Sequence, residues 1–149
     1  HVNIGNLRRI QRRFEIAEAA YRQALALNPS FTPAYANLAD MYRERNREGD
    51  AETVLREGLA AVPDDTYLHH SLGLALVRQN RLQDALPELK KAADSPDAVP
   101  RFALVYALAL DGIGASGQAI NYLAASLERF GSDPELENTL REIRTRNLQ

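Results

Sequence analysis

Ala17, Ala51, Ala85 and Ala119 stand 34 residues apart, step after step, with no insertion between them. The same step joins Gly5, Ala39, Gly73 and Ala107, and Ile4, Leu38, Leu72 and Tyr106. It also joins Tyr21, Leu55, Leu89 and Leu123, and Ala24, Gly58, Ala92 and Ser126. A fixed period of this length is the signature of a repeat architecture, in which each unit buries its apolar face against its neighbours. The small columns let two helices approach closely, and the large apolar columns fill the space between neighbours. Within a unit the apolar spacing is helical, as in Tyr35, Leu38, Ala39 and Tyr42.

The interruptions recur in phase as well. Polar or glycine breaks such as Arg45-Asn46-Arg47-Glu48-Gly49 and Arg78-Gln79-Asn80-Arg81 divide each unit into two helices. The turn that closes a unit recurs as Pro29, Pro63, Asp97 and Gly131. Proline ends a helix because it lacks an N–H and clashes with the preceding turn. Asn28-Pro29 thus closes one unit and Thr32-Pro33 opens the next, with Thr32 as N-cap and Pro33 at the first helical position. The pattern predicts one all-α domain over 1–149, with units at 1–31, 32–65, 66–99 and 100–133 and a capping helix at 134–149. That makes eight repeat helices and a ninth at the tail. Pro87 falls inside the second helix of the third unit and is expected to kink it on its exposed side.

The tail from Asp133 has a capping Asp, then Pro134, with apolar residues at Leu136, Leu140 and Ile143. Arg141 and Arg144 occupy columns that hold small or apolar residues elsewhere, so no further helix can pack closely there. A terminal cap with a wet outer face is the expectation.

The 34-residue unit resembles the tetratricopeptide repeat (TPR). The second unit reads Tyr35, Leu38-Ala39, Tyr42, Ala51, Leu55, Pro63, and the third reads His69, Leu72-Gly73, Leu76, Ala85, Leu89. The likeness covers residues 1–133. Arg8 departs from it, standing where the family has Tyr. The resemblance implies a right-handed α-solenoid of antiparallel helix pairs. Its concave face, lined by first helices, takes peptides or partner segments. Repeat phase then puts Asn6, Arg9, Asn37, Asp40, Arg43, Tyr67, His70, Ser71, Leu74, Arg78, Arg101, Leu104, Val105 and Leu108 on that face. Some members grip a partner's C-terminal carboxylate with a basic and Asn clamp. Asn6 and Asn37 match it, but Val2, Tyr67 and Ser71 hold its basic positions, which argues against that mode. The stretches "YANLADMYR" and "HHSLGLALVR" are also similar to TPR regions of bacterial multihaem cytochrome polypeptides.

Composition narrows the function classes. The chain has no cysteine, which excludes disulfides, zinc–thiolate sites, thiol nucleophiles and the C-x-x-C-H haem attachment within it. Its net charge is −2, so no overall field calls for nucleic acid or an anionic membrane. The charge is uneven. Residues 1–34 hold five Arg against two Glu, and residues 35–65 hold four Arg against eight acids. No apolar run reaches the roughly 18–20 residues of a membrane span, and no signal peptide is visible. A start at His1 suggests a processed product or an excised domain. Sixteen Arg against two Lys hints at a GC-rich bacterial gene, which leaves the cytoplasm and the periplasm open.

The chemical motifs each have an ordinary reading. Gly112-Ile113-Gly114-Ala115-Ser116-Gly117 matches G-x-G-x-x-G, but it follows a helical segment and occupies an inter-helix turn by repeat phase. His69 and His70 point about 100° apart on a helix and have no third ligand with them. Arg8, Arg9, Arg12 and Arg13 form a basic face without aromatic residues between them, so a solvated face outweighs phosphate binding. Asp64, Asp65 and Asp133 stand at helix starts, where capping is their default role. No nucleophile, base and orienting group assemble, so the chain reads as a non-catalytic scaffold without cofactor or metal. An accessory domain of a larger enzyme or electron-transfer protein is the alternative, and a basic-face nucleic-acid binder is a third.

Overall fold

The computed structural model describes residues 2–148; the side chains of Val2, Asn3 and Gly5 lie outside that description, and with them the Val2 and Gly5 assignments above. Eight helices follow one another among the described residues: α1 (Val2–Leu27), α2 (Thr32–Glu44), α3 (Glu48–Ala61), α4 (Thr66–Arg78), α5 (Leu82–Asp94), α6 (Pro100–Gly112), α7 (Ser116–Phe130) and α8 (Pro134–Asn147). The starts of α2, α4, α6 and α8 are 34 residues apart, and so are those of α3, α5 and α7.

The turns inside the pairs share one device. Asn46, Asn80 and Gly114, again 34 residues apart, have φ of 59°, 59° and 87°. That left-handed conformation is open to Gly at no steric cost and to Asn at little. The next residue then donates its N–H back into the helix: Arg47 to the Tyr42 carbonyl at 2.8 Å, Arg81 to Leu76 at 2.9 Å, and Ala115 to Leu110 at 2.9 Å. These bonds satisfy carbonyls that the helix end leaves open.

The first unit lacks this turn, and the count of nine helices is corrected to eight. The equivalent position is Arg12, flanked by Gln11 and Arg13, with no residue that favours positive φ. The helix therefore runs straight through, and α1 is 26 residues long. A second correction concerns Thr32. The cap of α2 is Phe31, with no side-chain cap bond, so Thr32 lies within the first turn together with Pro33. Pro87 is exposed and α5 continues through it.

The chain divides into two compact units, His1–Leu68 and His69–Gln149. In the first, Tyr35, Leu38, Tyr42, Val54, Leu55 and Leu68 form the core. Each fully buried Leu or Val contributes about 1.5–3 kcal/mol relative to exposure. Gly58 is there for space, because a Cβ would lie 2.8 Å from both Leu68 Cδ1 and Tyr35 Cγ. Buried phenols keep partners: Tyr35 donates to the Pro29 carbonyl at 2.8 Å, and Tyr42 to Glu18 at 2.9 Å.

The second unit is built on Leu72, Leu76, Ala85, Leu89, Leu123 and Leu136. Gly73 allows the close approach of α4 and α5, since a Cβ would lie 2.4 Å from Leu89 Cδ2. Arg129 donates to the carbonyls of Ala93 (2.7 Å) and Ser95 (2.5 Å), tying α7 to the end of α5. Helix α8 buries Leu136, Leu140 and Ile143 while Arg141 and Arg144 remain exposed. Among the described residues no helix is long and apolar enough to cross a membrane.

Candidate functional site

Helix starts build a cleft in each unit. In the first unit, Thr32, Pro33, Ala36 and Asn37 of α2 face Asp65, Tyr67 and Leu68 at the start of α4, around about 330 Å³ of open space. Asp65 Oδ1 accepts the Leu68 N–H at 2.8 Å, which fixes the start of α4 and one wall of the cleft. Ala36 and Leu68 are buried behind the cleft, while Asn37 and Tyr67 present polar atoms and ring surface to solvent. In the second unit, Val99, Pro100, Arg101 and Leu104 of the α6 start face Asp133 and Glu135 of the α8 start, around about 230 Å³. Asp133 Oδ1 accepts the Leu136 N–H at 3.0 Å, the same cap again.

The two clefts are related by the repeat. Adding 68, two periods, carries Thr32, Pro33 and Ala36 onto Pro100, Arg101 and Leu104, and Asp65 and Tyr67 onto Asp133 and Glu135. The frame is shared and the chemistry differs. Beside the shared aspartate, Asn37 and Tyr67 offer an amide and a phenol in the first cleft, whereas Arg101 and Glu135 offer charges of both signs in the second.

The structure thus brings Asn37 together with Tyr67, and Arg101 together with Leu104. Other candidate positions lie on the same helices but line neither cleft. Asn6, Asp40, Arg43, Arg78 and Leu108 are exposed, and Ser71 and Leu74 are half-buried. His70 is different. It is only 5% exposed and stacks on Phe102, with ring centroids 4.1 Å apart and planes 24° apart. Its Nδ1 has no hydrogen-bond partner, and burial, then the Arg101 cation, push its pKa down to about 4. The expectation that His70 offers itself to a partner is therefore corrected: it is a neutral ring packed beneath the surface. His69 packs too, with its Nδ1 2.6 Å from Glu88 Oε2 on α5.

Sequence reasoning passed over Thr32, Pro33, Ala36, Asp65, Val99, Pro100, Asp133 and Glu135 as cleft residues. Their prolines and aspartates are explained as helix starts, yet the same starts, stacked in phase, make the walls. The G-x-G-x-x-G stretch is a turn: Gly114 has φ of 87° and Ser116 opens α7. Its Ser116 hydroxyl donates to Asp111 Oδ1 at 2.7 Å. That bond first, and Arg146 next, hold the Asp111 carboxyl below its usual range. Among the described residues no group of three or more His, Cys, Asp and Glu is placed to hold a metal ion.

Two family models, both described as tetratricopeptide repeat, match residues 9–74 and 70–134. The chain belongs to the tetratricopeptide repeat family. Its fold is the all-α solenoid of helix pairs, and it is a protein-interaction scaffold of the kind these repeats build. Pseudomonas aeruginosa pilF superposes with a TM-score of 0.76 at 23% identity, over 98% of this chain and 66% of that one. YrrB, a TPR protein with an unusual peptide-binding site, is 26% identical with a TM-score of 0.66, over 85% of this chain and 65% of its own. The E3 ubiquitin-protein ligase CHIP of Arabidopsis thaliana is 30% identical over 82 residues, which are 55% of this chain. The chain spans about three-tenths of the length of that curated relative.

Proposed function

We propose that the first-helix faces bind partner segments, with one cleft in each unit: that of Asn37 and Tyr67 in the first and that of Arg101 and Leu104 in the second. The observation that carries this reading is the recurrence of one cleft at a two-repeat interval, capped by an aspartate each time. A repeat scaffold reads a segment by presenting equivalent pockets in series. The Asn37 amide can donate to and accept from a peptide backbone, and the Tyr67 ring adds apolar contact. Arg101 suits a carboxylate, which its planar fork can meet with two hydrogen bonds. Leu108 supplies exposed apolar surface on the same helix, while Leu104 is buried and forms the floor of the cleft. Asn6, Asp40, Arg43, Ser71, Leu74 and Arg78 add contacts along the same helices, and His70 supports the surface from below. The peptide-binding site of YrrB makes a peptide the natural class of partner for this chain.

A random peptide library selected on the wild-type chain tests this. Selected peptides should lose about tenfold or more in affinity on Asn37→Ala/Tyr67→Ala and on Arg101→Ala. Binding unchanged on both variants would place the site elsewhere.

A further inference from the structure

The first repeat contains a seat and the helix made to fill it, held apart. In the three later repeats the small column at Ala51, Ala85 and Ala119 is buried to 1% exposure or less. Each is the place where a first helix lies against its own second helix. Ala17 is the same column, but it is only half-buried and lines an open groove of about 510 Å³ between α1 and α2, with Ile10, Phe14 and Met41 as further apolar walls and Arg13, Glu44 and Arg45 as polar ones. The filling column shows the converse. Leu38, Leu72 and Tyr106 are 0%, 1% and 7% exposed, whereas Ile4, in phase with them, is 54% exposed. Leu7 and Ile10 continue that uncovered stripe at 65% and 57%.

We propose that two copies of this chain exchange residues 2–9 of α1, each laying Ile4 and Leu7 into the Ala17 groove of the other. The helix cannot reach its own seat, because closure needs a left-handed residue at the place where Asn46, Asn80 and Gly114 supply one and Arg12 does not. A continuous helix in place of a hinge carries the plug away from its own seat, so a second copy is the occupant that already has the right groove. The exchanged contact would repeat one that the chain makes in α2–α3 and α6–α7. The fit is apolar rather than ionic, since Arg13 and Arg45 line the groove together with Glu44. Arg8 falls in the column filled by Tyr42, Leu76 and Leu110, so this joint lacks one apolar contact that the inner ones have. A reciprocal exchange is a closed two-fold arrangement, which stops at the dimer.

Sedimentation equilibrium of the 149-residue chain between about 1 and 200 µM tests the exchange. The expected result is a dimer. Leu7→Glu, on the plug, and Ala17→Leu, filling the seat, should each weaken dimerisation at least about tenfold with helical circular dichroism retained. Arg12→Gly, which frees the hinge to close within one chain, should also shift the chain to monomer. A wild-type chain that stays monomeric throughout overturns the proposal. So does a dimer indifferent to Ala17→Leu and Arg12→Gly, which would join by the exposed stripes face to face instead.

Discussion

The cleft at Asn37 and Tyr67 and the cleft at Arg101 and Glu135 stand on the same backbone positions two repeats apart, yet they share no exposed polar side chain. Pro33 gives way to Arg101, Ala36 to Leu104, and Tyr67 to Glu135. Only the aspartate cap is kept, with its bond to the third residue of the following helix. Column residues fix where a first helix starts and how it stacks, and they are spent on packing. Pro33, Tyr67, Arg101 and Glu135 stand between the columns and face solvent, and the packing places little demand on them. One frame therefore sets an amide and a phenol beside the aspartate in one unit, and an arginine and a glutamate beside it in the other.

The two units should part most clearly with pH. His70 belongs to the second unit, and its pKa is about 4 when folded against an ordinary 6.5. Between those values the unfolded chain binds the extra proton, so stability is whole above pH 6.5 and falls as pH drops toward 4. The loss from this group should reach about 2–3 kcal/mol at the acid end. Urea melts of wild type and His70→Phe at pH 7 and pH 4.5 should show the acid loss shrinking in the variant; equal losses would refute the neutral buried ring.

Ala85→Leu tests the packing frame of the same unit. Ala85 is fully buried, so the added volume should cost about 1–3 kcal/mol. Amide exchange should speed up in α4 to α7 and stay unchanged in α2 and α3. A melt like wild type would mean that the column is misassigned.

The caps come next in size. Asp65→Ala and Asp133→Ala should each cost about 1 kcal/mol, and each should weaken only the cleft whose wall it fixes. The smallest expected effect is also the most specific. Tyr67→Glu gives the first cleft the acid of the second and should turn its preference toward basic peptides by a few-fold in affinity, leaving the second cleft as it was.

Much of this architecture was legible because packing repeats. Small and large columns at a 34-residue step located the helix pairs, and the Asp133-Pro134 start with Leu136, Leu140 and Ile143 located the last helix. The first repeat misled because its columns keep the pattern while its turn does not. Ile4 and Ala17 say helix pair, and Arg12 says continuous helix. A turn is decided by one residue's φ, which column matching does not weigh. His70 misled for another reason. Phase gives the direction of a side chain from its helix axis, but the Phe102 ring that covers it comes from another helix, in a column that holds Ala34 in the second repeat and Leu68 in the third. The clefts were half legible: Asn37, Tyr67, Arg101 and Leu104 fell on the right helices, but no spacing told which neighbours stood close enough to enclose space.

Amide hydrogen exchange of the chain with and without a library-selected peptide reads out which helices meet the partner. Protection is predicted at 32–37 and 65–68 in the first unit and at 99–104 and 133–136 in the second, with α3, α5 and α7 unchanged. Protection confined to α3, α5 and α7 would put the partner on the second helices and contradict the account.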